Sequence, residues 1–292
     1  MHADPGPDSP RPLDAVALRR ALVEGPQAPY TALEVVDEIG STNAESLGRA
    51  GRGATDRSVI LAEYQASGRG RLGREWTAPP RTQVAMSVLL RPGAISPTLF
   101  GWLPLVTGLA VRDALVTAGG VDATLKWPND VLVDGRKIAG ILAEMTTVAG
   151  GGDFEVRLPA LVVGIGINVS LTREQLPVPH ATSLALAGGM TDRDDLARAV
   201  LEALARRHEQ WRGCERGSGS TVSDELMAEY SDACSTLGAD VRVLLPGDVV
   251  RTGRADHVDR DGRLVVVTED GELAVAAGDV THVRPAGDRW GG

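Results

Sequence analysis

Residues 126–142 read Lys126-Trp127-Pro128-Asn129-Asp130-Val131-Leu132-Val133-Asp134-Gly135-Arg136-Lys137-Ile138-Ala139-Gly140-Ile141-Leu142, and this stretch decides the fold. An Asp-Gly pair between apolar runs is the strongest short-range hairpin signal, because a tight turn needs positive φ there. The spacing predicts strands over 126–133 and 137–145. With a two-residue turn, Leu132 sits opposite Lys137, and Asp130 lies diagonally on the same face. A cation and a carboxylate then share one surface of a sheet. A lysine that keeps an edge strand from aggregating leaves the same pattern.

Outward from the hairpin, residues 33–39, 58–65, 82–90 and 158–169 are rich in Val, Ile and Leu and predict further strands. Stretch 82–90 alternates and is β-like. Helices are predicted over 15–23, 44–50, 99–118, 192–211 and 224–234. The glycine-rich stretch 213–220 reads as a mobile loop. After residue 240 short alternating runs recur at 241–245, 249–258, 264–268, 273–276 and 280–283, with Asp261-Gly262 and Asp270-Gly271 between them. That spacing suggests a small β-barrel. The expected class is α+β: residues 1–30 a proline-rich tail with a short helix, 31–235 a mixed-sheet domain, and 236–287 a small C-terminal β-barrel domain.

Composition narrows the function. Hydrophobic residues make 43% and charged residues 24% of 292, an ordinary globular balance. Against 30 Lys+Arg stand 39 Asp+Glu, so the net charge of −9 disfavours broad nucleic-acid binding and any anion site must be a local basic patch. The two cysteines, Cys214 and Cys234, make neither a disulfide framework nor a four-ligand zinc site. No basic-then-apolar leader opens the chain. The longest apolar-leaning run, 99–111, is too short to span a membrane. A cytoplasmic protein without membrane attachment is expected. About thirty residues ahead of the first strand leave no room for a winged-helix DNA-binding domain.

Four segments could carry chemistry. Gly68-Arg69-Gly70-Arg71-Leu72-Gly73-Arg74-Glu75-Trp76 matches a dinucleotide fingerprint in form only, since that motif must open a helix and Pro79-Pro80 follow at once. Flexible glycines carrying three guanidiniums suit a lid over an anionic ligand; a solvated basic surface loop reads the same. Lys137, on the same face as Asp130, could hold a carboxylate against a phosphate. In Val163-Gly164-Ile165-Gly166-Ile167-Asn168, alternation puts Gly164, Gly166 and Asn168 on one face, where a flat ligand could approach; a strand crossing with a helix packed over the glycines is the lesser alternative. Ser41-Thr42-Asn43 reads as a helix N-cap, a place that also favours anions. No histidines stand at metal-ligand spacing, and no P-loop or Gly-x-Ser-x-Gly elbow occurs.

In order, Gly-Ser-Thr-Asn at 40–43, Gly-Arg-Gly-Arg-x-Gly-Arg-x-Trp at 68–76, Lys-Trp-Pro-Asn-Asp at 126–130, Lys-Ile-Ala-Gly-Ile-Leu at 137–142 and Gly-Ile-Gly-Ile-Asn-Val at 164–169 resemble the bacterial biotin protein ligase family. The resemblance spans residues 35–285. It implies the mixed-sheet biotin/lipoate ligase fold with an SH3-like C-terminal barrel. It also implies a two-step ligase: biotin and Mg-ATP give biotinyl-5′-AMP and pyrophosphate, then a lysine of a biotin carboxyl carrier protein domain, from an acyl-CoA or pyruvate carboxylase, displaces AMP.

On the same ground Lys137 and Arg71 would be catalytic. Ser41, Thr42, Asn43, Gln65, Gly68, Arg69, Gly70, Arg71, Lys137, Gly140, Gly164 and Gly166 would bind biotin. Arg69, Arg71, Arg74, Trp76, Lys126, Asn129, Lys137 and Asn168 would serve ATP, with Trp76 packing on the ordered lid. Asp130 would meet Mg2+ through the phosphates. No tightly bound prosthetic group, no nucleic-acid partner and no repressor function are expected. Lipoate ligases and octanoyl transferases share the fold, and a biotin-binding regulator without turnover is the rival of another class.

Overall fold

The structure, a computed structural model, describes residues 10–149, 157–214, 221–245, 249–276 and 279–282. The 126–142 stretch forms the expected hairpin. Asp134 and Gly135 both have positive φ (49° and 69°), and Leu132 pairs with Lys137 and Val133 with Arg136 across them. A bulge between Val131 and Leu132 then shifts the register, so Asp130 faces Gly140. The upstream arm is not one strand. It divides into β4 (Thr124–Lys126) and β5 (Asp130–Val133), which pair with each other. Trp127-Pro128-Asn129, with a cis Trp127–Pro128 peptide, turns the chain between them, because proline offers no N–H to a ladder.

The downstream arm is β6 (Arg136–Ala149), which pairs along β7 (Arg157–Asn168). Before the hairpin come α1 (Ala15–Leu22), β1 (Ala32–Ile39), α2 (Thr42–Gly51), β2 (Ser58–Gln65), β3 (Gln83–Leu90) and α3 (Leu103–Thr117). After β7 come α4 (Arg193–Gly213) and α5 (Asp224–Ala233). The seven strands lie in the order β1-β2-β3-β7-β6-β5-β4; β1 and β2 run parallel and the other neighbours antiparallel.

Helices cover both faces of this sheet. Leu103, Val106, Leu109 and Ala110 of α3 join Leu196, Val200 and Leu204 of α4 in the main core. On the other face Ala50 of α2 meets Leu89, Val148, Ala160 and Val162. Every residue of β3 is therefore buried, and its sequence alternation does not mark a solvent face. The stretch Pro97–Thr117 is long and apolar enough to cross a membrane but is 67% buried in this core. Its first turns, Pro97–Trp102, are a 3-10 helix, so the regular helix starts later than residue 99.

The N-terminal segment packs more than its prolines suggest. Leu18 and Leu22 of α1 enter the main core. Buried Glu63 pairs with Arg193 at 2.7 Å and accepts the Leu13 N–H at 2.6 Å. The rest of the expected tail (1–9) and most of the expected 213–220 loop lie outside the described residues.

The C-terminal strands β8 (Asp240–Leu245), β9 (Val249–Val258), β10 (Leu264–Thr268), β11 (Gly271–Val275) and β12 (Asp279–His282) form one antiparallel sheet, ordered β11-β10-β9-β8-β12. Its 259–262 turn docks on the large domain. Trp102 Nε1 donates to the Asp259 and Arg260 carbonyls at 3.2 and 3.1 Å, and Trp127 Nε1 to the Gly262 carbonyl at 3.1 Å.

Candidate active site

The β3–β7–β6 ladder sets one face of the sheet, and a cavity of about 860 Å³ opens over it. Ala85 faces Gly166, and Gly166 faces Gly140, so two strands present no side chain at adjacent points. The α2 N-terminus, the 68–76 loop and the 126–130 turn supply the walls. Every residue expected in the site lines this cavity except Gly68. Gly68 lies beneath the loop's closure: its carbonyl accepts the Trp76 N–H at 2.9 Å, and a β-carbon on it would strike the Trp76 carbonyl.

At one end the polar groups hold each other in place. Gln65 Oε1 accepts from the Thr42 N–H at 2.9 Å and from Thr42 Oγ1 at 3.1 Å. Asn43 Nδ2 donates to Glu144 Oε2 at 2.8 Å and to the Leu142 carbonyl at 3.0 Å. Ser87 Oγ lies 2.7 Å from Thr42 Oγ1 and 2.6 Å from Asn43 Oδ1. Ser41 caps α2 by accepting the Ala44 N–H. The cap and the site are thus the same residues. The Asn43 amide also presses on Gly164, where no β-carbon would fit.

At the other end the cations gather. Lys137 Nζ lies 2.6 Å from Asp130 Oδ1, and that oxygen makes no well-aligned hydrogen bond. The pair forms across the register shift, with Asp130 opposite Gly140. Arg71 Nη1 donates to Asn129 Oδ1 at 3.1 Å, and Asn129 Nδ2 to the Ile141 carbonyl at 3.0 Å. Arg69, Arg74 and Lys126 line the same cavity. Three separate elements therefore aim cations at one volume in an acidic protein.

The Trp76 indole lies on the floor of the cavity. A β-carbon on Gly166 would collide with that ring, and one on Gly140 would come within 3.0 Å of it. The indole N–H donates to Gln83 Oε1 at 2.6 Å, and Lys137 Nζ sits 5.6 Å from the ring centroid, within cation–π reach. The glycine floor is flat because a ring lies on it.

Sequence reading missed Gln83, Ser87 and Glu144, and the wall formed by 177–181. Gln83 and Ser87 are polar and fully buried in an otherwise apolar strand, a signal that was available. The 177–181 wall is fixed by backbone pairing: the Lys137 N–H donates to the His180 carbonyl at 2.9 Å and the Thr182 N–H to the Lys137 carbonyl at 2.8 Å. Asn168 Nδ2 holds the same segment through the Thr182 carbonyl at 2.9 Å. The His180 imidazole is pushed below its usual pKa by partial burial, then by Lys126 and Lys137, against the opposing pull of Asp130. Among the described residues no three His, Cys, Asp or Glu side chains could hold a metal together.

Residues 41–168 match the biotin/lipoate A/B protein ligase family, and residues 236–283 match the biotin protein ligase C-terminal domain. The chain is 40% identical over 278 residues to the biotin–[acetyl-CoA-carboxylase] ligase of Mycobacterium tuberculosis, covering 94% of this chain and 97% of that protein. It is 32% identical over 197 residues to the bifunctional ligase/repressor BirA of Escherichia coli, covering 67% of this chain and 58% of that protein. The solved biotin protein ligase from Aquifex aeolicus, in complex with biotin and ATP, superposes with a TM-score of 0.68 at 28% identity, covering 88% of this chain and 100% of that one.

Proposed function

This chain belongs to the biotin protein ligase family, and on that premise we propose how its site makes biotinyl-5′-AMP from biotin and ATP and passes biotin to a carrier lysine. The observation that carries the reading is the convergence of Lys137, Lys126 and the loop arginines on one cavity above a bare sheet. In the first step a biotin carboxylate oxygen attacks the α-phosphorus of ATP, and the bond to the β-phosphate oxygen breaks. Two anions must meet, so their repulsion is the barrier the protein has to lower. Lys137, fixed by its ladder, neutralises the carboxylate and α-phosphate together. Arg71, braced by Asn129, covers the phosphates as charge moves to pyrophosphate.

The ring end of biotin sits against Ser41, Thr42 and Gln65, whose hydrogen bonds with neighbours set their orientation in advance. Gly140 and Gly166 make room for the Trp76 indole and Gly164 for the Asn43 amide, so these two side chains lie on the glycine floor that biotin approaches. Arg69, Gly70, Arg74, Trp76, Lys126 and Asn168 surround the nucleotide, and Gly68 lets the loop close. Magnesium enters with the nucleotide. Asp130 and Glu75 line the cavity, and among the described residues no acidic cluster could hold a metal, which suits an ion held mostly by phosphate oxygens and water.

In the second step the carrier lysine's amine attacks the acyl carbon, AMP leaves, and the amine loses a proton. The mixed anhydride hydrolyses in water, so a loop that closes over it preserves the intermediate. The carrier is the biotin carboxyl carrier domain of an acyl-CoA or pyruvate carboxylase. The reaction runs in the cytoplasm, consistent with two buried cysteines that form no disulfide.

Mass spectrometry of a carrier domain incubated with this protein, Mg-ATP and either biotin or lipoate tests the reading. The expected product is a biotinyl mass increment on one lysine. A lipoyl adduct alone, or no adduct with either acid, overturns it.

A further inference from the structure

We infer that Gln83 is a positioning residue for the arginine loop: it docks the Trp76 indole in a slot of the sheet and so sets how tightly the loop closes. The inference deepens the reading of the site as an acyl-adenylate former and rests on it.

The slot is built on register. Gln83 is opposite Asn168 on β7, Gly166 lies two residues along on the same face, and Gly140 is opposite Gly166 on β6. Three adjacent strands thus supply one hydrogen-bond acceptor and two bare positions. The Trp76 ring fills the space that β-carbons would occupy at both glycines. Its N–H ends on Gln83 Oε1 at 2.6 Å. Gly70 pairs with Arg74 and Gly68 with Trp76 through the backbone, so the loop's arginines ride on the segment that this ring anchors.

Gln83 cannot drift. It is fully buried in β3, and its carbonyl lies 3.4 Å from Arg193 Nη1, itself paired with buried Glu63. Yet its Nε2 is buried with no hydrogen-bond partner. An unpaired buried donor is a cost that Met or Leu at this position would not carry. The amide's evident contribution is its oxygen, and that oxygen serves the indole. The position is therefore explained by holding Trp76 rather than by core stability.

The test uses Q83M, W76F and the double variant of the full chain, with two readouts. The first is trypsin cleavage after Arg69, Arg71 and Arg74 without ligand. The second is the release rate of biotinyl-AMP formed on the enzyme. Losing one hydrogen bond is expected to raise both by about fivefold in Q83M. W76F should match or exceed that, and the double variant should be no worse than W76F. The thermal midpoint of Q83M should equal or exceed that of the wild type, because the unpaired donor is gone. Wild-type cleavage and release in Q83M, or effects of the two substitutions that multiply, overturn the inference. A lowered midpoint with unchanged loop cleavage does so too. Should Q83M fail to fold, W76F alone carries the test, and its wild-type cleavage rejects the slot. If the wild-type protein forms no biotinyl-AMP, the reading of the site fails, while the cleavage comparison still judges the slot.

Discussion

The 126–142 hairpin and the 68–76 loop both bring cations to the cavity, but they hold them by different means. In the hairpin, Lys137 sits in β6 between Leu132 of β5 and the 180–182 segment, and its side-chain direction follows from that backbone pairing. In the loop, residues 72–75 are exposed, and the arginines ride on a backbone closed by two short pairings and a docked tryptophan. A charge on a strand is in place before any ligand arrives. A charge on a glycine-rich loop reaches its position at an entropic cost that ligand contacts must offset. On the proposed reading, the hairpin would govern the rate of the chemical step and the loop how long the product of that step is kept.

Removing the hairpin's cation is the largest expected effect. Lys137→Ala should lower the single-turnover rate of biotinyl-AMP formation by about a hundredfold or more, as loss of one charge stabilising a transition state does. Circular dichroism should stay unchanged, since the Lys137–Asp130 pair is partly exposed and contributes little to stability. A rate near wild type would move the chemistry elsewhere.

Changing the loop should do less to formation and more to retention. Arg71→Gly removes the contact to Asn129 and adds backbone freedom. Release of biotinyl-AMP into solution should rise about tenfold with formation slowed much less. Equal losses in both would erase the division between the two regions.

A smaller effect tests the frame that both regions share. His208 of α4 is fully buried, and burial, with Arg212 and Arg57 nearby, holds its pKa down at about 3. The unfolded chain takes up that proton near the ordinary value of 6.5, while the folded one resists it. Stability is thus complete above pH 6.5 and falls as pH drops from there toward 3, by at most about 1.4 kcal/mol per pH unit. Chemical denaturation of wild type and His208→Phe at pH 7 and pH 5 should show the pH dependence shrinking in the variant. An unaltered slope would assign the acid sensitivity to other groups.

Much of this was legible in residues 126–142. The Asp-Gly turn fixed the hairpin, and a two-residue turn correctly put Leu132 opposite Lys137. The bulge one step further was not legible, because nothing in Val131-Leu132 distinguishes a bulged strand from a regular one. Pro128 did announce the break between β4 and β5, yet the apolar residues around it outweighed it. Stretch 82–90 shows the limit of periodicity: its alternation is real, but both faces are covered, so Gln83 and Ser87 are buried polar groups and not solvent-facing ones. The loop motif revealed its charges but not the resting place of Trp76, which depends on two glycines some 60 and 90 residues downstream in sequence. The 177–181 wall is held by main-chain pairing to β6, which leaves no mark in side-chain pattern.

The most direct measurement of the central claim is exchange of labelled pyrophosphate into ATP by the purified protein with magnesium. Label should enter ATP when biotin is present and stay out when it is omitted, because pyrophosphate returns to ATP only by reversal of biotinyl-AMP formation. Exchange that proceeds without biotin, or no exchange with it, would contradict the account.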